Sequence, residues 1–255
     1  MSQRDDLYSL PRQRVGDFVF DESVAAVFPD MISRSVPGYA SILSVIEQLA
    51  RRFCRPGADA YDLGCSLGAA TLLIAGQAPD GVRVHAVDNS PAMLQRLAAR
   101  LESDRSSEDA AVAAAASRVE LHQADLLEMP VQNASMVVLN FTLQFIPKAS
   151  RDAALSRICS GVLPGGCLVL SEKISFASEP QQRWMTTLHH DFKAANGYSE
   201  LEIAQKRTSL ENSLTPEPLA VHVERLQAAG FETVVPWFQC FNFASILAVR
   251  GGTPE

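Results

Sequence analysis

The residues of this chain whose types and spacing lend themselves to chemistry are a glycine turn and two acids downstream of it. Residues Ala60 to Leu72 read A-Y-D-L-G-C-S-L-G-A-A-T-L: an extended apolar approach, a turn, then a small-residue helix start. Gly64 lets the backbone turn with no Cβ in the way, and Gly68 lets the new helix pack close to the strand it left. A helix starting there turns unpaired N–H groups and the positive end of its dipole toward a polar or anionic ligand. Asp88 falls 24 residues after Gly64, at the end of the next extended run, R-V-H-A-V-D. A carboxylate in that place can accept from both hydroxyls of a ribose held across the turn. Asn89 beside it serves either the base or the cap of the following helix. Asp125 closes a third run, R-V-E-L-H-Q-A-D, as a second carboxylate at a strand end.

Other candidates carry less. In S-R-S-V-P-G-Y, residues 33 to 39, Arg34 and Tyr39 form either a lid over the ligand or a loop with a solvated arginine and a half-buried tyrosine. His189-His190-Asp191 is not read as a metal site, because adjacent residues on a helix point about 100° apart. Cys65 has no base near it in sequence and reads as a small packing residue rather than a nucleophile. Trp237, Phe238, Phe241 and Phe243 read as core and edge-strand packing.

The elements that must position these groups alternate. Residues 1–58 predict a helical cap: Asp21 caps a helix carrying Val24, Val27 and Phe28, and Ile42, Val45, Ile46, Leu49 and Phe53 form one apolar stripe. From residue 59 strands and helices alternate, which predicts a parallel sheet covered on both faces. Ser90 and Pro91 open the second of these helices, expected to reach about Glu102; residues 103–117, polar and then alanine-rich, read as a surface elaboration. A fourth strand ends in Asn140, and a helix stops at L-P-G-G, Leu163 to Gly166, before a buried fifth strand. Residues 179–215 predict a helical insertion, with Gly197 ending one helix, Ser199 and Glu202 boxing the next, and Lys206 and Arg207 on the latter. Thr215-Pro216 opens a further helix, and two closely joined strands close the sheet as an antiparallel pair.

The composition sets bounds. The 255 residues, 47% hydrophobic and 20% charged, predict a single soluble domain over 1–255. No apolar run approaches the ~20 residues of a membrane span, and no signal-peptide core is present, so a cytoplasmic protein is expected. The five scattered cysteines include no C-x-x-C pair and read as reduced thiols. A net charge of −7 disfavours direct nucleic-acid binding.

This ordered set of features is similar to the Rossmann-like class I S-adenosylmethionine-dependent methyltransferase fold: α/β, a mostly parallel seven-stranded sheet with an antiparallel C-terminal strand, a helical N-terminal extension, and a helical insertion before the last strands. A nicotinamide site needs G-x-G-x-x-G, whose middle glycine admits a pyrophosphate; G-C-S-L-G lacks it, and S-adenosylmethionine has no phosphate. The segments F-P-D-M-I-S-R-S-V-P-G-Y, Y-D-L-G-C-S-L-G-A-A-T-L, D-N-S-P-A-M, N-A-S-M-V-V-L-N-F-T-L-Q-F, H-H-D-F-K-A-A-N-G-Y-S-E-L-E-I and W-F-Q-C-F-N-F resemble the carboxy-S-adenosyl-L-methionine synthase family over nearly the whole chain; the alanine-rich stretch after residue 103 departs from it.

That resemblance implies conversion of S-adenosyl-L-methionine and prephenate to carboxy-S-adenosyl-L-methionine, held as bound product, and phenylpyruvate. The product then serves a partner enzyme that carboxymethylates a hydroxylated wobble uridine in tRNA, so the chain itself need not touch RNA. The resemblance assigns Gly64, Cys65 and Ser66 to the methionine portion, Asp88 and Asn89 to the ribose and base, Asp125 and Leu126 to the adenine, and Asn140 to the amino-acid end. It makes Tyr39 and Arg207 the remaining ligand contacts, with Arg207 reaching the new carboxylate from a neighbouring subunit of a homodimer, and it implies no metal. A conventional small-molecule methyltransferase and a non-catalytic S-adenosylmethionine-binding regulator would use the same turn.

Overall fold

The computed structural model describes residues 3–12, 14–211 and 213–252. Asp21 accepts a hydrogen bond from the Val24 amide and caps α1 (Glu22–Ser35); α2 (Tyr39–Phe53) follows after a three-residue turn in which Gly38 is left-handed. Then come β1 (Asp59–Leu63), α3 (Ala69–Gln77), β2 (Arg83–Asp88), α4 (Pro91–Arg105), α5 (Ala110–Ser117) and β3 (Val119–Gln123). The second half has β4 (Ala134–Asn140), a 3-10 turn at Leu143–Phe145, α6 (Lys148–Gly161), β5 (Val162–Ser175), α7 (Glu179–Ala195) and α8 (Glu200–Glu211). The described chain closes with β6 (Glu217–Pro218), α9 (Leu219–Ala228), β7 (Phe231–Cys240) and β8 (Phe243–Arg250).

The sheet runs β3-β2-β1-β4-β5-β8-β7, with two-residue β6 beside the end of β5. β1 through β5 pair in parallel, and β8 is antiparallel to both its neighbours. All five residues of β1 are buried, as a strand covered on both faces requires. On one face Ile46, Ile74, Leu97 and Leu101 pack on Ala60, Val84, Met136 and Val169. On the other, Leu155, Ile158 and Leu226 pack on Tyr61, Leu63, Val137 and Leu139. The α/β fold expected from the alternation is the fold observed, with the antiparallel hairpin at the expected edge.

Several local expectations are corrected. α1 continues to Ser35, so Arg34 lies in its last turn rather than in a loop, stacked 4.0 Å over the Tyr198 ring and donating to Asp30, the Asp5 carbonyl and the Asn196 carbonyl. It is a strut between the N-terminal arm and α7. Residues 103–117 are largely helical: α4 runs on to Arg105, and Asp109 caps α5, whose Ala116 is buried. β3 stops at Gln123, so Asp125 follows the strand instead of ending it. L-P-G-G lies inside β5 as a bulge: pairing with β4 jumps from Ala134 opposite Val162 to Met136 opposite Cys167. The helix expected from Thr215-Pro216 begins only at Leu219, because Glu217 and Pro218 first pair with Ile174 and Ser175. Gly197, at φ +85°, and the Ser199–Glu202 capping box end α7 and start α8 as expected.

Candidate active site

A cavity of about 610 Å³ opens over the C-terminal ends of β1, β2, β4 and β5 and is roofed by the N-terminal arm, α1, α7 and α8. Its floor is the glycine turn. The Gly64 and Cys65 amides both donate to the Val87 carbonyl, at 2.8 and 2.9 Å, which locks the end of β1 against the end of β2. Gly64 sits at φ +82° and Gly68 at φ +77°, where an L side chain is strained. A Cβ on Gly64 would enter the Thr142 side chain, and one on Gly68 would enter Leu97. The two glycines therefore perform the two tasks read from their spacing, a tight turn and close helix packing.

Asp88 lines the cavity at the end of β2, its two oxygens accepting from the Ser66 and Ser90 amides, both at 2.8 Å. Burial raises its pKa, and these backbone donors oppose the shift. Ser90 caps α4 through its hydroxyl, 3.2 Å from the Met93 amide, so the cap belongs to Ser90 and Asn89 is left lining the cavity. Asp125 and Leu126 line the same wall; Asp125 accepts from the Leu127 amide at 2.8 Å. Asn140, at the end of β4, faces the cavity with a buried Oδ1 that has no hydrogen-bond partner among the described residues. An orphaned acceptor of this kind is costly unless a ligand donates to it. Tyr39, at the start of α2, closes that end, its ring 6.3 Å from Phe141; burial first, and the nearby Asp62 charge second, raise its hydroxyl pKa. Cys65 also lines the cavity, and burial pushes its thiol pKa far up, which removes it as a nucleophile.

Arg207 does not line the cavity of its own chain. Its side chain, 58% exposed, lies on the outer face of α8 beside Glu211, at 3.6 Å. Its neighbour Lys206 points the other way, into the cavity wall, and donates to Asp5 and to Ser35 Oγ at 3.3 and 3.0 Å. Nine of the ten residues named from the sequence thus meet at one cavity, and the tenth lies outside it.

The sequence reading missed the cavity's basic end. Lys173 of β5, Lys193 of α7 and Lys206 of α8 line it together with His189. Lys193 is buried, and burial plus repulsion from Lys206 and Lys173 brings its pKa down to about 7. Burial brings Lys206 down to about 8 against the opposing pull of Asp5, and burial also lowers Lys173. The side-chain ammonium groups of Lys173 and Lys193 have no ion-pair or hydrogen-bond partner among the described residues, unlike Lys206. His189 is bonded to the Ser35 carbonyl at 2.8 Å, packs edge-on to Phe243 at 4.9 Å, and is held neutral by burial, its pKa near 2. It is a wall residue with its ring nitrogen spoken for. Asp62, also missed, is fully buried under the turn, accepts from Thr71 at 2.6 Å, and is raised by burial to about 6. No local signal marks these groups: the three lysines lie on three different elements, and only the fold turns them inward.

A buried site with an acid for a ribose, an orphaned acceptor for an ammonium, a close-approach turn and a lysine-rich far end fits S-adenosylmethionine beside an anionic second ligand. The comparisons agree with the first half of that statement. A family model described as a methyltransferase domain matches residues 60–166. Carboxy-S-adenosyl-L-methionine synthases of Yersinia pestis (strain Pestoides F) and Yersinia pseudotuberculosis serotype O:1b (strain IP 31758) are each 50% identical over 254 residues, covering 99% of this chain and 92% of theirs. Among solved structures, an O-methyltransferase family protein from Burkholderia thailandensis aligns with a TM-score of 0.62 at 15% identity, over 92% of this chain and 62% of that one. Magnesium protoporphyrin IX methyltransferase from Synechocystis PCC 6803, solved with bound SAH, aligns with a TM-score of 0.58 at 16% identity over 87% of each chain. At such identities the structural likeness speaks for the fold alone.

Proposed function

The chain belongs to the carboxy-S-adenosyl-L-methionine synthase family and is an enzyme that uses S-adenosyl-L-methionine, and on that premise we propose that it makes carboxy-S-adenosyl-L-methionine from S-adenosyl-L-methionine and prephenate. In the balanced reaction the sulfonium methyl loses one proton and gains carbon dioxide from prephenate; the hydroxide that prephenate also loses takes the proton as water, and phenylpyruvate leaves. Asp88 and Asn89 take the ribose and base, Asp125 and Leu126 the adenine, and Gly64, Cys65, Ser66 and Asn140 the methionine portion.

The observation that carries this reading is the pair of ammonium groups on buried Lys193 and half-buried Lys173, both without a partner among the described residues, with Lys206 beside them, in the same cavity as the glycine turn. Buried cations without counterions are costly, and a dicarboxylate such as prephenate relieves that cost with charge-assisted hydrogen bonds. An uncharged methyl acceptor gives no reason for them. The arm, α1, α7 and α8 enclose the cavity, and enclosure suits the chemistry: released carbon dioxide stays beside the carbon it must join, and water that would quench a carbanion is kept out. Tyr39 closes the methionine end, and Arg207 of a second copy in a homodimer supplies a guanidinium fork to the new carboxylate. The product then passes to the enzyme that carboxymethylates hydroxylated wobble uridine in tRNA.

The test is incubation with S-adenosyl-L-methionine and prephenate followed by mass spectrometry. Phenylpyruvate and a carboxylated sulfonium are expected in equal amounts. A methylated product, or neither compound, would overturn the proposal in favour of a conventional methyltransferase or a non-catalytic binder.

A further inference from the structure

A second cluster stands on β2 and β3, on the flank of the sheet away from the cavity. In the parallel register His85 lies opposite Glu120 and Val87 opposite His122. Glu120 and His122 are two apart, so both project from the face that carries His85. The result is the one group of three or more His, Cys, Asp or Glu side chains among the described residues whose donor atoms converge, all within 4.8 Å of one another. His85 Nδ1 is 3.0 Å from His122 Nε2 and 3.6 Å from Glu120 Oε2.

From this geometry we propose that His85, Glu120 and His122 form a binding site for a divalent transition cation of the zinc class. Four ligands placed tetrahedrally at the usual zinc bond lengths of about 2.0–2.1 Å stand roughly 3.3–3.4 Å apart. The two separations above fall on either side of that value, so small side-chain shifts bring the donors to bonding distance. Two imidazoles and one carboxylate are a donor set that zinc accepts, and three protein ligands leave a fourth position for water.

An independent observation concerns the other nitrogen of the His85 ring. Nε2 is buried and has no hydrogen-bond partner among the described residues, yet Asp59 Oδ1 stands 3.8 Å away, its carboxylate held by Arg83 at 3.1 and 3.2 Å. A cation on Nδ1 fixes the ring proton on Nε2, facing Asp59, and so produces the outer carboxylate that metal-bound histidines commonly have. The Tyr61 ring, stacked on His85 at 4.6 Å, holds the imidazole plane in place. The Glu120 and Asp59 side chains supply two acidic groups to match a divalent ion, and Arg83, bonded to Asp59, partly offsets them. The bound ion would tie edge strand β3 to β2.

The test uses the full-length, tag-free chain stripped of metal by a chelator, titrated with Zn2+ alone against a chromophoric competitor. One equivalent is expected to bind at least tenfold more tightly than to His122→Ala, with Zn2+ raising the thermal midpoint of the wild type and not of the variant. Asp59→Asn, which leaves all three ligands, is expected to weaken binding about 10–100-fold. Should His85→Ala fail to fold, Glu120→Gln and His122→Ala decide the matter, since both side chains are partly exposed. Equal Zn2+ affinity in the wild type and His122→Ala would overturn the proposal, as would a midpoint shift of equal size in both.

Discussion

Gly64 and Lys193 depend on opposite kinds of constraint. Gly64 is confined by geometry, at φ +82° with the Thr142 side chain where a Cβ would stand. Gly64→Ala is expected to cost about 1–3 kcal/mol of stability and to weaken S-adenosyl-L-methionine binding, measured by chemical denaturation and by isothermal titration. Lys193 is confined by electrostatics. Its pKa falls from 10.5 to about 7 because burial, and then the Lys206 and Lys173 charges, disfavour the ammonium. A base whose pKa is lowered in the folded state holds fewer protons there than when unfolded, so this group lends stability as pH rises from about 7 to about 10.5. Binding of an anion runs the other way, since it needs the charged form. For the proposed reaction, kcat/KM for prephenate is expected to fall as pH rises through about 7, the value for the free enzyme. Lys193→Met should lower kcat/KM at pH 6 by about 10–100-fold, the worth of one charge-assisted hydrogen bond, and should flatten that limb of the profile. An unchanged profile in the variant would remove Lys193 from the anion site.

The turn at Leu143–Phe145 brings Gln144 and Phe145 to the cavity, and it is fastened from behind. Fully buried Arg151 of α6 donates to the Ile146, Gln144 and Thr215 carbonyls and to Glu217 of β6, which also receives both terminal nitrogens of Arg225 on α9. The network explains why Thr215-Pro216 does not start a helix: the chain must first pass beside β5 to deliver Glu217. Burial alone would raise the Glu217 pKa, but the Arg225 and Arg151 guanidiniums outweigh it and hold it near 2. A carboxylate lowered in the folded state stabilises at neutral pH, and the contribution is lost as pH falls from about 4.5 toward 2. Arg151→Met leaves Glu217 short of a partner and is expected to destabilise by about 3–5 kcal/mol. Its denaturation midpoint should also depend less on pH below about 4.5 than that of the wild type, which a pH series of urea titrations reads directly.

For the molecule as a whole, the outer side of α8 is the surface that bears on assembly. Arg207 stands there beside Glu211 while Lys206 of the same helix turns into the cavity. If a second copy carries Arg207 to the site, Arg207→Leu should lose the copurifying carboxylated sulfonium by mass spectrometry and bind S-adenosyl-L-methionine itself nearly as before. Sedimentation of the wild type should give a dimer. Equal loss of both ligands, or a monomer with full activity, would refute the role. The strand and helix alternation, the glycine turn, Asp88 and the antiparallel closing pair were readable from residue order, because each is set by local periodicity, capping and turn chemistry over a few residues. Asn140 could be placed at a strand end for the same reason, whereas Asp125, read as closing the third strand, lies two residues beyond it. The lysine end of the cavity, the buried Asp62 and the Arg151–Glu217–Arg225 network could not, since their members are far apart in the chain and each alone resembles a solvated surface charge. Arg34 shows the same limit in reverse, a possible lid that became a strut once α1 ran a turn further and met Tyr198. Local order thus determined the scaffold and one half of the cavity lining, the half proposed to take a nucleoside and an amino acid. Which charges are buried together, and so what second substrate the cavity suits, was decided only when α7 and α8 packed over the sheet, because burial and electrostatic coupling are properties of packing between distant segments.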